Sequence, residues 1–282
     1  MITHDDITSL RGAIAKYKQQ NKSIAFVPTM GNLHAGHCSL LKQASAKADI
    51  VIASIFVNPL QFSPNEDFNE YPRTLQNDLT ELKKHGCDLV YLPQTEHLIA
   101  DNPNQQSQVV VPNMIDSLEG TERNGHLVGV ATIVTKLFNI VQPDFACFGK
   151  KDYQQWLMIK QMVDDLNMNI KIIGCETVRE EDGLALSSRN QYLNAEQRKV
   201  APLIRKTLIA CATKIAGQSN EVEHCIKGSI QQLEQQGFEV DYLERREQGT
   251  FNKNIVSKKQ VLLCTARLGR TRLLDNIEFS IE

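Results

Sequence analysis

The sequence predicts an α/β protein in which a doubly wound parallel sheet is followed by a smaller C-terminal α+β domain. Short, nearly continuous apolar runs alternate with helical patterns from residue 24 to residue 174, as in parallel strands that helices cover on both faces. After residue 174 a polar, irregular segment leads to two helical patterns and then to three strand-like runs. These observations divide the chain into two domains, residues 1–176 and residues 177–282.

The elements follow from the spacing of apolar residues, taken in chain order. A first helix is predicted over residues 5–20, because Ile7, Leu10, Ile14 and Tyr17 recur at helical spacing. Strands are then predicted at 24–27, 50–57, 89–92, 145–148 and 170–174, and helices at 38–48, 74–85, 129–141 and 153–166. After the irregular segment 175–193, helices near 195–216 and 219–236 precede strands at 238–243, 260–267 and 273–277.

Two long connections interrupt this alternation. Residues 58–73 contain three prolines without clear periodicity, and a connection of this length in a compact domain is usually functional or disordered. Residues 93–108 are polar and are interpreted as plain surface.

Composition excludes several classes of protein. The net charge of −2 and pI near 6.4 argue against a nucleic-acid partner, which usually requires a basic surface. No apolar run reaches the length of a membrane span, and the N-terminus lacks the pattern of a signal peptide. Seven scattered cysteines without a Cys-x-x-Cys pair indicate free thiols in a reducing cytoplasm, and neither disulfides nor a zinc site.

The segment 28–37 connects the first predicted strand of the sheet to a helix. A helix N-terminus attracts phosphate, and Gly31 and Gly36 allow the backbone to approach a ligand closely. His34 and His37 can donate hydrogen bonds to phosphate oxygens. We therefore interpret this turn as a nucleotide phosphate site. Metal binding by the two histidines, or a histidine that merely caps the helix, are the alternatives.

Two further segments could contribute to such a site. Lys151 lies at a predicted helix start, where a cation is unfavourable without an anionic partner, and Gln155 follows on the same helical face. The irregular segment carries Ser187, Ser188 and Arg189, whose hydroxyl and guanidinium groups suit phosphate oxygens. A solvated lysine pair and an ordinary polar surface are the respective alternatives.

The ends of other elements supply polar groups for a small substrate and a cation. Asn58 and Gln61 follow the second strand of the sheet and should lie on the same rim as His34. Asp78 and Glu81, one helical turn apart, could hold Mg²⁺, which prefers oxygen ligands. An exposed acidic helix face explains this pair equally well.

Together these segments resemble the pantoate–β-alanine ligase family. The matching stretches are 26–37, 54–62, 71–74, 148–155 and 178–190, which span the chain in the family's order. The His-x-x-His segment alone is typical of a wider nucleotidyltransferase superfamily that includes class I aminoacyl-tRNA synthetases. The resemblance implies a Rossmann-like sheet, and it implies cytoplasmic location and a homodimer.

The resemblance also implies a reaction that consumes ATP with Mg²⁺. The carboxylate of (R)-pantoate attacks the α-phosphate, and the amine of β-alanine then displaces AMP from pantoyl adenylate to give pantothenate. In this scheme the 58–73 loop and the C-terminal domain act as lids over the adenylate.

The site residues implied by the resemblance fall into four groups. The catalytic group comprises His34, His37, Lys151 and Arg189. Pantoate and β-alanine are assigned to Gln61, Gln155, Asn58 and Met30, and the metal to Asp78 and Glu81. ATP is assigned to Met30, Gly31, Asn32, Leu33, His34, Ala35, Gly36, His37, Gly149, Lys150, Lys151, Asp152, Val178, Leu186, Ser187, Ser188 and Arg189.

Two positions depart from the family pattern. Lys150 stands where an acidic residue is frequent, and Leu186 where methionine is usual; the second exchange nearly conserves volume. A nucleotidyltransferase that stops at an adenylylated product and a catalytically silent nucleotide-binding protein are the alternative functions. The second is disfavoured because both histidines, Lys151 and Arg189 are all present.

Overall fold

The structure is a computed structural model that describes residues 1–63, 66–217 and 221–281. The chain divides into two compact units. Unit 1 comprises residues 1–150 and 154–176, and unit 2 comprises residues 151–153 and those from 177 onward.

Unit 1 is built on a six-stranded sheet in the order β1-β4-β3-β2-β5-β6, in which every pair of neighbouring strands is parallel. The strands are β1 (Ile2–His4), β2 (Ile24–Thr29), β3 (Ile50–Ile55), β4 (Leu89–Tyr91), β5 (Phe145–Gly149) and β6 (Lys171–Cys175). The helices between them are α1 (Ile7–Gln19), α2 (Ala35–Ser45), α3 (Leu75–Lys84), α4 (Thr95–Leu98), α5 (Pro112–Ile115), α6 (Glu119–Glu122), α7 (His126–Val141) and α8 (Tyr153–Asp165).

The central strands are buried because helices cover both faces of the sheet. Residues 24–27 of β2 and 50–54 of β3 are almost inaccessible to solvent, and α7 contributes twelve buried residues. The chain runs outward from β2 through β3 to β4 and then returns to the opposite side of β2 as β5. Such a reversal creates a crevice beyond the strand carboxyl ends, where ligands of open α/β sheets bind. The predicted parallel-sheet class is confirmed.

At the opposite edge of the sheet, where the strands begin, two aspartates accept hydrogen bonds from the backbone. Asp144 and Asp88 accept hydrogen bonds from the backbone N–H groups of Ile24 and Val51 at 2.7 and 2.8 Å. These bonds satisfy donors at the strand starts that the sheet ladder leaves unpaired.

Unit 2 contains a three-stranded antiparallel sheet in the order β7-β8-β9. Its strands are β7 (Phe238–Glu247), β8 (Lys259–Leu268) and β9 (Thr271–Ser280), and its helices are α9 (Ala195–Val200), α10 (Leu203–Gly217) and α11 (Val222–Glu234). Apolar residues of α10, α11 and the sheet form one core. This arrangement is the smaller α+β domain that the sequence predicts.

Several element boundaries differ from the prediction. The single helix expected at 195–216 is two helices, because Pro202 lacks the N–H that a continuous helix requires. Strand β1 and helices α4 to α6 were not predicted. The strand contains only one apolar residue and so has no apolar run, and a helix of four residues is a single turn without a periodic pattern. Residues 219–220 of the predicted helix 219–236, and residues 64–65 of the 58–73 connection, lie outside the described residues.

No helix in the described part of the chain is long and apolar enough to cross a lipid bilayer.

Candidate active site

The turn from β2 to α2 lies at the carboxyl edge of the sheet, beside the crevice. Gly31 and Asn32 both adopt positive φ, of 80° and 50°, and bring the backbone sharply round toward α2. A Cβ at Gly31 would lie 3.0 Å from a carboxylate oxygen of Asp78 and 3.2 Å from Ile55. Glycine is thus required here by both backbone conformation and space.

His34 and His37 are built into the first turn of α2. The Nδ1 atom of His34 accepts a hydrogen bond from the backbone N–H of Gly36 at 3.1 Å. The Nδ1 atom of His37 accepts one from the backbone N–H of His34 at 3.3 Å, and the ring centroids are 4.2 Å apart. Since each Nδ1 is an acceptor, the proton of each neutral ring resides on Nε2. The predicted helix start at residue 38 was too late, and capping and ligand binding are compatible roles for these histidines.

Gly36 is needed because the imidazole of His34 folds over it. A Cβ at residue 36 would lie 2.8 Å from Cε1 and 2.9 Å from Nδ1 of that ring. Its neighbour Ala35 is exposed, whereas Met30 and Leu33 are half-buried in the same turn. The predicted nucleotide segment thus forms a single compact turn.

The carboxylate of Asp78, on α3, stabilises the histidine turn through hydrogen bonds to its backbone. Its carboxylate accepts hydrogen bonds from the backbone N–H groups of Asn32 at 3.0 Å and Leu33 at 2.8 Å. The Thr74 hydroxyl donates to it as well, at 3.2 Å, and the side chain is 1 % exposed. From the sequence, Asp78 was predicted to bind a metal ion. Its hydrogen bonds to the histidine turn were not predicted, because a contact between residues 45 positions apart leaves no local signal.

The predicted Mg²⁺ ligands do not fit a shared metal ion. Both oxygens of Asp78 already serve as acceptors, and the carboxylate is shielded from solvent. The carboxylate of Glu81 faces different groups, namely Cys38 and His85, which include a thiol that Mg²⁺ does not favour. We therefore assign no step of the chemistry to a metal held by this pair.

A short 3₁₀ turn, Pro59–Gln61, follows β3, and Asn58 is its N-cap. The Asn58 amide donates to Oε1 of Gln61 at 3.1 Å and to the carbonyl of Gly129 at 3.2 Å. Its own oxygen accepts the N–H of Leu60, so all its groups are engaged and it orients Gln61. The turn packs directly on α7 at Gly129. A Cβ added to this glycine would lie only 2.1 Å from the Leu60 carbonyl oxygen, so the two backbones are in close contact.

A buried network behind Gln61 was not predicted. The Gln61 carbonyl lies 2.7 Å from Nδ1 of His126 and accepts from the Arg123 guanidinium at 3.2 Å. Arg123 also makes a bidentate ion pair with Glu66. Burial, and then the nearby Arg123 charge, lower the pKa of His126 from 6.5 to about 4. The ring is therefore neutral near pH 7 and serves to position the turn.

The end of β5 carries the second predicted nucleotide segment. Because β5 is the neighbour of β2, Gly149 and Lys150 emerge on the same edge of the sheet as the histidine turn. The Lys150 ammonium pairs with Glu176 at 2.7 Å and lies 5.6 Å from the centroid of the Trp156 ring. The basic residue at this position is thus balanced by a carboxylate.

Gln155 is half-buried on α8, and its neighbour Gln154 was missed by the sequence analysis. Gln154 is 2 % exposed and uses its whole amide to secure the segment before α7. It donates to the carbonyls of Met114 and Ser117 at 2.7 and 2.9 Å and accepts the N–H of Glu119 at 3.0 Å.

Lys151 and Ser187 line one pocket of unit 2, together with Asn190, Arg272 and Asp275. The Lys151 ammonium is 3.6 Å from the exposed Asp152, and Asn276 donates to its backbone carbonyl at 2.9 Å. Ser187 caps the turn Ser188–Tyr192 by accepting the N–H of Arg189. Asn190 follows this predicted group and was assigned no role from the sequence; its buried Oδ1 makes no hydrogen bond within the described residues.

The segment before Ser187 is a small hairpin fixed by an ion pair. The Arg179 guanidinium binds the carboxylate of Asp275 at 2.7 and 2.8 Å and donates to the Gly183 carbonyl at 3.1 Å. The N–H of Leu186 donates to the carbonyl of Val178, which aligns these two predicted ATP-binding residues. Asp275 is 1 % exposed, so this pair is strongly protected from solvent.

A family model and curated relatives match nearly the whole chain. The model of the family described as pantoate-beta-alanine ligase matches residues 2–278. A pantothenate synthetase of Azotobacter vinelandii is 50 % identical over the whole of both chains, and one of Pseudomonas putida W619 is 49 % identical over 98 % of this chain and 97 % of its own.

Solved structures give the same result. The pantothenate synthetase of Thermus thermophilus superimposes with a TM-score of 0.89 at 40 % identity, over 98 % of this chain and 99 % of that one. A pantoate-beta-alanine ligase of Francisella tularensis, complexed with beta-gamma ATP and beta-alanine, gives 0.82 at 33 % identity over 98 % and 97 %. The chain described here belongs to the pantoate–β-alanine ligase family and is a ligase.

Proposed function

We propose that the protein condenses (R)-pantoate with β-alanine at the expense of ATP, through a pantoyl-adenylate intermediate, and releases AMP and pyrophosphate. The histidine turn carries this proposal, because it places two imidazoles, each with its Nδ1 atom bonded to the backbone, at a helix start on the carboxyl edge of the sheet. The Francisella tularensis relative complexed with beta-gamma ATP and beta-alanine supports the choice of nucleotide and amine.

The first step forms a bond between a pantoate carboxylate oxygen and the α-phosphorus. The bond from that phosphorus to the bridging oxygen breaks, and pyrophosphate leaves with the electron pair. Negative charge grows on the phosphate oxygens during this step, so fixed N–H donors stabilise the transition state more than the ground state. We assign this role to His34 and His37, with further positive charge from Lys151 and Arg189.

The second step forms the amide bond. The amine of β-alanine attacks the acyl carbon, and the bond from that carbon to the phosphate oxygen breaks. AMP departs with the electron pair, and the nitrogen loses a proton to solvent. We assign pantoate to Gln61 and Gln155. The Asn58 amide donates to Oε1 of Gln61, which orients the Gln61 side chain and leaves its amide N–H groups for a ligand. Water must be excluded during this step, and we propose the domain from residue 177 onward and the 58–73 connection as lids.

Pantoate labelled with ¹⁸O in its carboxylate tests this chemistry. The purified protein is incubated with labelled pantoate, ATP, Mg²⁺ and β-alanine, and the products are analysed by mass spectrometry. One ¹⁸O atom is expected in AMP, because the attacking oxygen remains on the α-phosphorus when the amide forms. Label in inorganic phosphate together with ADP would instead indicate an acyl phosphate, and a stable adenylylated product would indicate a nucleotidyltransferase.

A further inference from the structure

A cluster of three different metal-ligand types lies beside the histidine turn but takes no part in the proposed reaction. The ligand atoms of Cys38, Glu81 and His85 all lie within 4.8 Å of one another. Cys38 follows His37 in the first turns of α2, and Glu81 and His85 occupy the last turn and C-cap of α3. We propose that these three side chains form a Zn²⁺ site that joins the two helices.

Two of the three ligand distances are close to those of a tetrahedral zinc site, and the third is within 4.8 Å. Bond lengths of about 2.0–2.3 Å to nitrogen, oxygen and sulfur place neighbouring ligand atoms roughly 3.4–3.6 Å apart. The Cys38 Sγ atom is 3.9 Å from Oε2 of Glu81, and that oxygen is 3.6 Å from Nδ1 of His85. Small rotations of partly exposed side chains therefore suffice to close the site around an ion.

The present partners of these groups are easily replaced. Nδ1 of His85 is 2.9 Å from the Glu81 carbonyl, but that carbonyl also accepts the His85 backbone N–H at 3.0 Å and stays satisfied when the ring turns. The Glu81 carboxylate is 3.6 Å from Lys84, whose side chain is 68 % exposed and can move into solvent. Binding thus costs no buried hydrogen bond.

The donor set selects zinc over magnesium. A thiolate and an imidazole are poor ligands for Mg²⁺ and good ligands for Zn²⁺, and thiolate plus carboxylate neutralise a divalent charge. Three protein ligands leave one coordination position for water. The absence of a Cys-x-x-Cys pair led the sequence analysis to expect no zinc site, because ligands from two helices 43 positions apart leave no short motif.

The consequence of binding is mechanical and does not depend on the proposed reaction. Asp78, which holds the histidine turn, lies on α3 one turn before Glu81. A metal ion between Cys38 and Glu81 would fix α3 to α2 next to that turn. Zinc is therefore expected to stabilise unit 1 against thermal unfolding.

Cobalt(II) titration of chelator-treated full-length protein tests the proposal. One equivalent is expected to give tetrahedral d–d bands and a thiolate-to-cobalt charge-transfer band, which Zn²⁺ abolishes by displacement. Cys38→Ser should remove the charge-transfer band, and His85→Asn or Glu81→Gln should weaken binding at least about tenfold, since even loss of an outer-shell partner costs that much. Cys225→Ser, which changes another half-buried thiol, is the matched control.

Thermal unfolding supplies a second measurement on the same variants. At the same Zn²⁺ concentration the Tm should rise more for the wild type and for Cys225→Ser than for His85→Asn, with equal circular dichroism of the metal-free proteins. An octahedral cobalt spectrum without a thiolate band, no stoichiometric binding, or an unchanged spectrum in Cys38→Ser would overturn the proposal. A zinc-induced rise in Tm that survives undiminished in both Cys38→Ser and His85→Asn would do so too.

Discussion

The replacement Asp78→Asn distinguishes between two roles of this carboxylate, one that holds the histidine turn through hydrogen bonds and one that binds a metal ion. The exchange keeps the size of the side chain and one acceptor oxygen, but it turns the other oxygen into an amide donor. That donor then faces the backbone N–H of Asn32 or Leu33, which now lie 3.0 and 2.8 Å from the carboxylate. One buried N–H loses its partner, at a cost of about 1–3 kcal/mol.

This cost is expected to appear in catalysis, because it falls on the turn that carries the histidines. If the variant must spend this free energy to restore the active geometry, kcat/KM falls roughly ten- to hundredfold, since about 1.4 kcal/mol corresponds to a factor of ten. The assay is AMP formation at saturating Mg²⁺, repeated over a range of Mg²⁺ concentrations. A loop-holding role predicts the same defect at every Mg²⁺ concentration.

Asp88→Asn is the matched control for this experiment. Asp88 also accepts a backbone N–H, that of Val51 at 2.8 Å, but at the opposite edge of the sheet. A comparable loss of stability with unchanged kcat/KM is expected for this variant. A wild-type kcat/KM in Asp78→Asn, or a defect that high Mg²⁺ fully reverses, would refute the reasoning.

Other predictions address the neighbouring groups. Gly36→Ala should lower kcat/KM at least about tenfold by displacing the imidazole beside it, whereas Gly12→Ala, with open space around it, should leave turnover unchanged; equal activities would contradict the clash. His37→Ala should lower kcat by roughly 10²–10³, and near-normal turnover would contradict its role. Gln61→Ala should raise the KM for pantoate with a smaller effect on kcat, and an unchanged KM would contradict that assignment. The pKa of His126 is lowered from 6.5 to about 4 in the folded protein, so the unfolded chain binds more protons between these two values. The wild type should therefore lose about 3 kcal/mol of stability from this group as pH falls through that window, and chemical denaturation of His126→Gln should show a shallower decline.

The fold could be predicted because its signals are local. Apolar runs and helical spacing indicated all the inner strands of the sheet, and the glycines and histidines of 28–37 indicated the turn after β2. Pro202 is a local signal in the sequence, and it divides the predicted helix 195–216. The short strand β1 had no comparable signal, since it depends on pairing with β4.

The partners of the site could not be predicted, because they depend on contacts between distant segments. Asp78 reaches the histidine turn across 45 residues, and His126 reaches the Gln61 carbonyl across 65. Asn58 was expected to bind substrate, but its amide is engaged within the protein, and its role as a direct ligand stays a prediction. A sequence shows which polar groups are present, but the fold decides which of them are already engaged.

The two imidazoles of the turn also explain which amino acids these positions can accept. Each ring presents an acceptor to the backbone on one side and a donor on the other. Lysine and arginine could supply positive charge but have no acceptor, so the first turn of α2 would lose its internal bonds. Asparagine could restore that acceptor but is too short to extend as far as Nε2. Protein engineers who wish to alter this site must therefore replace two functions with every substitution, one architectural and one chemical.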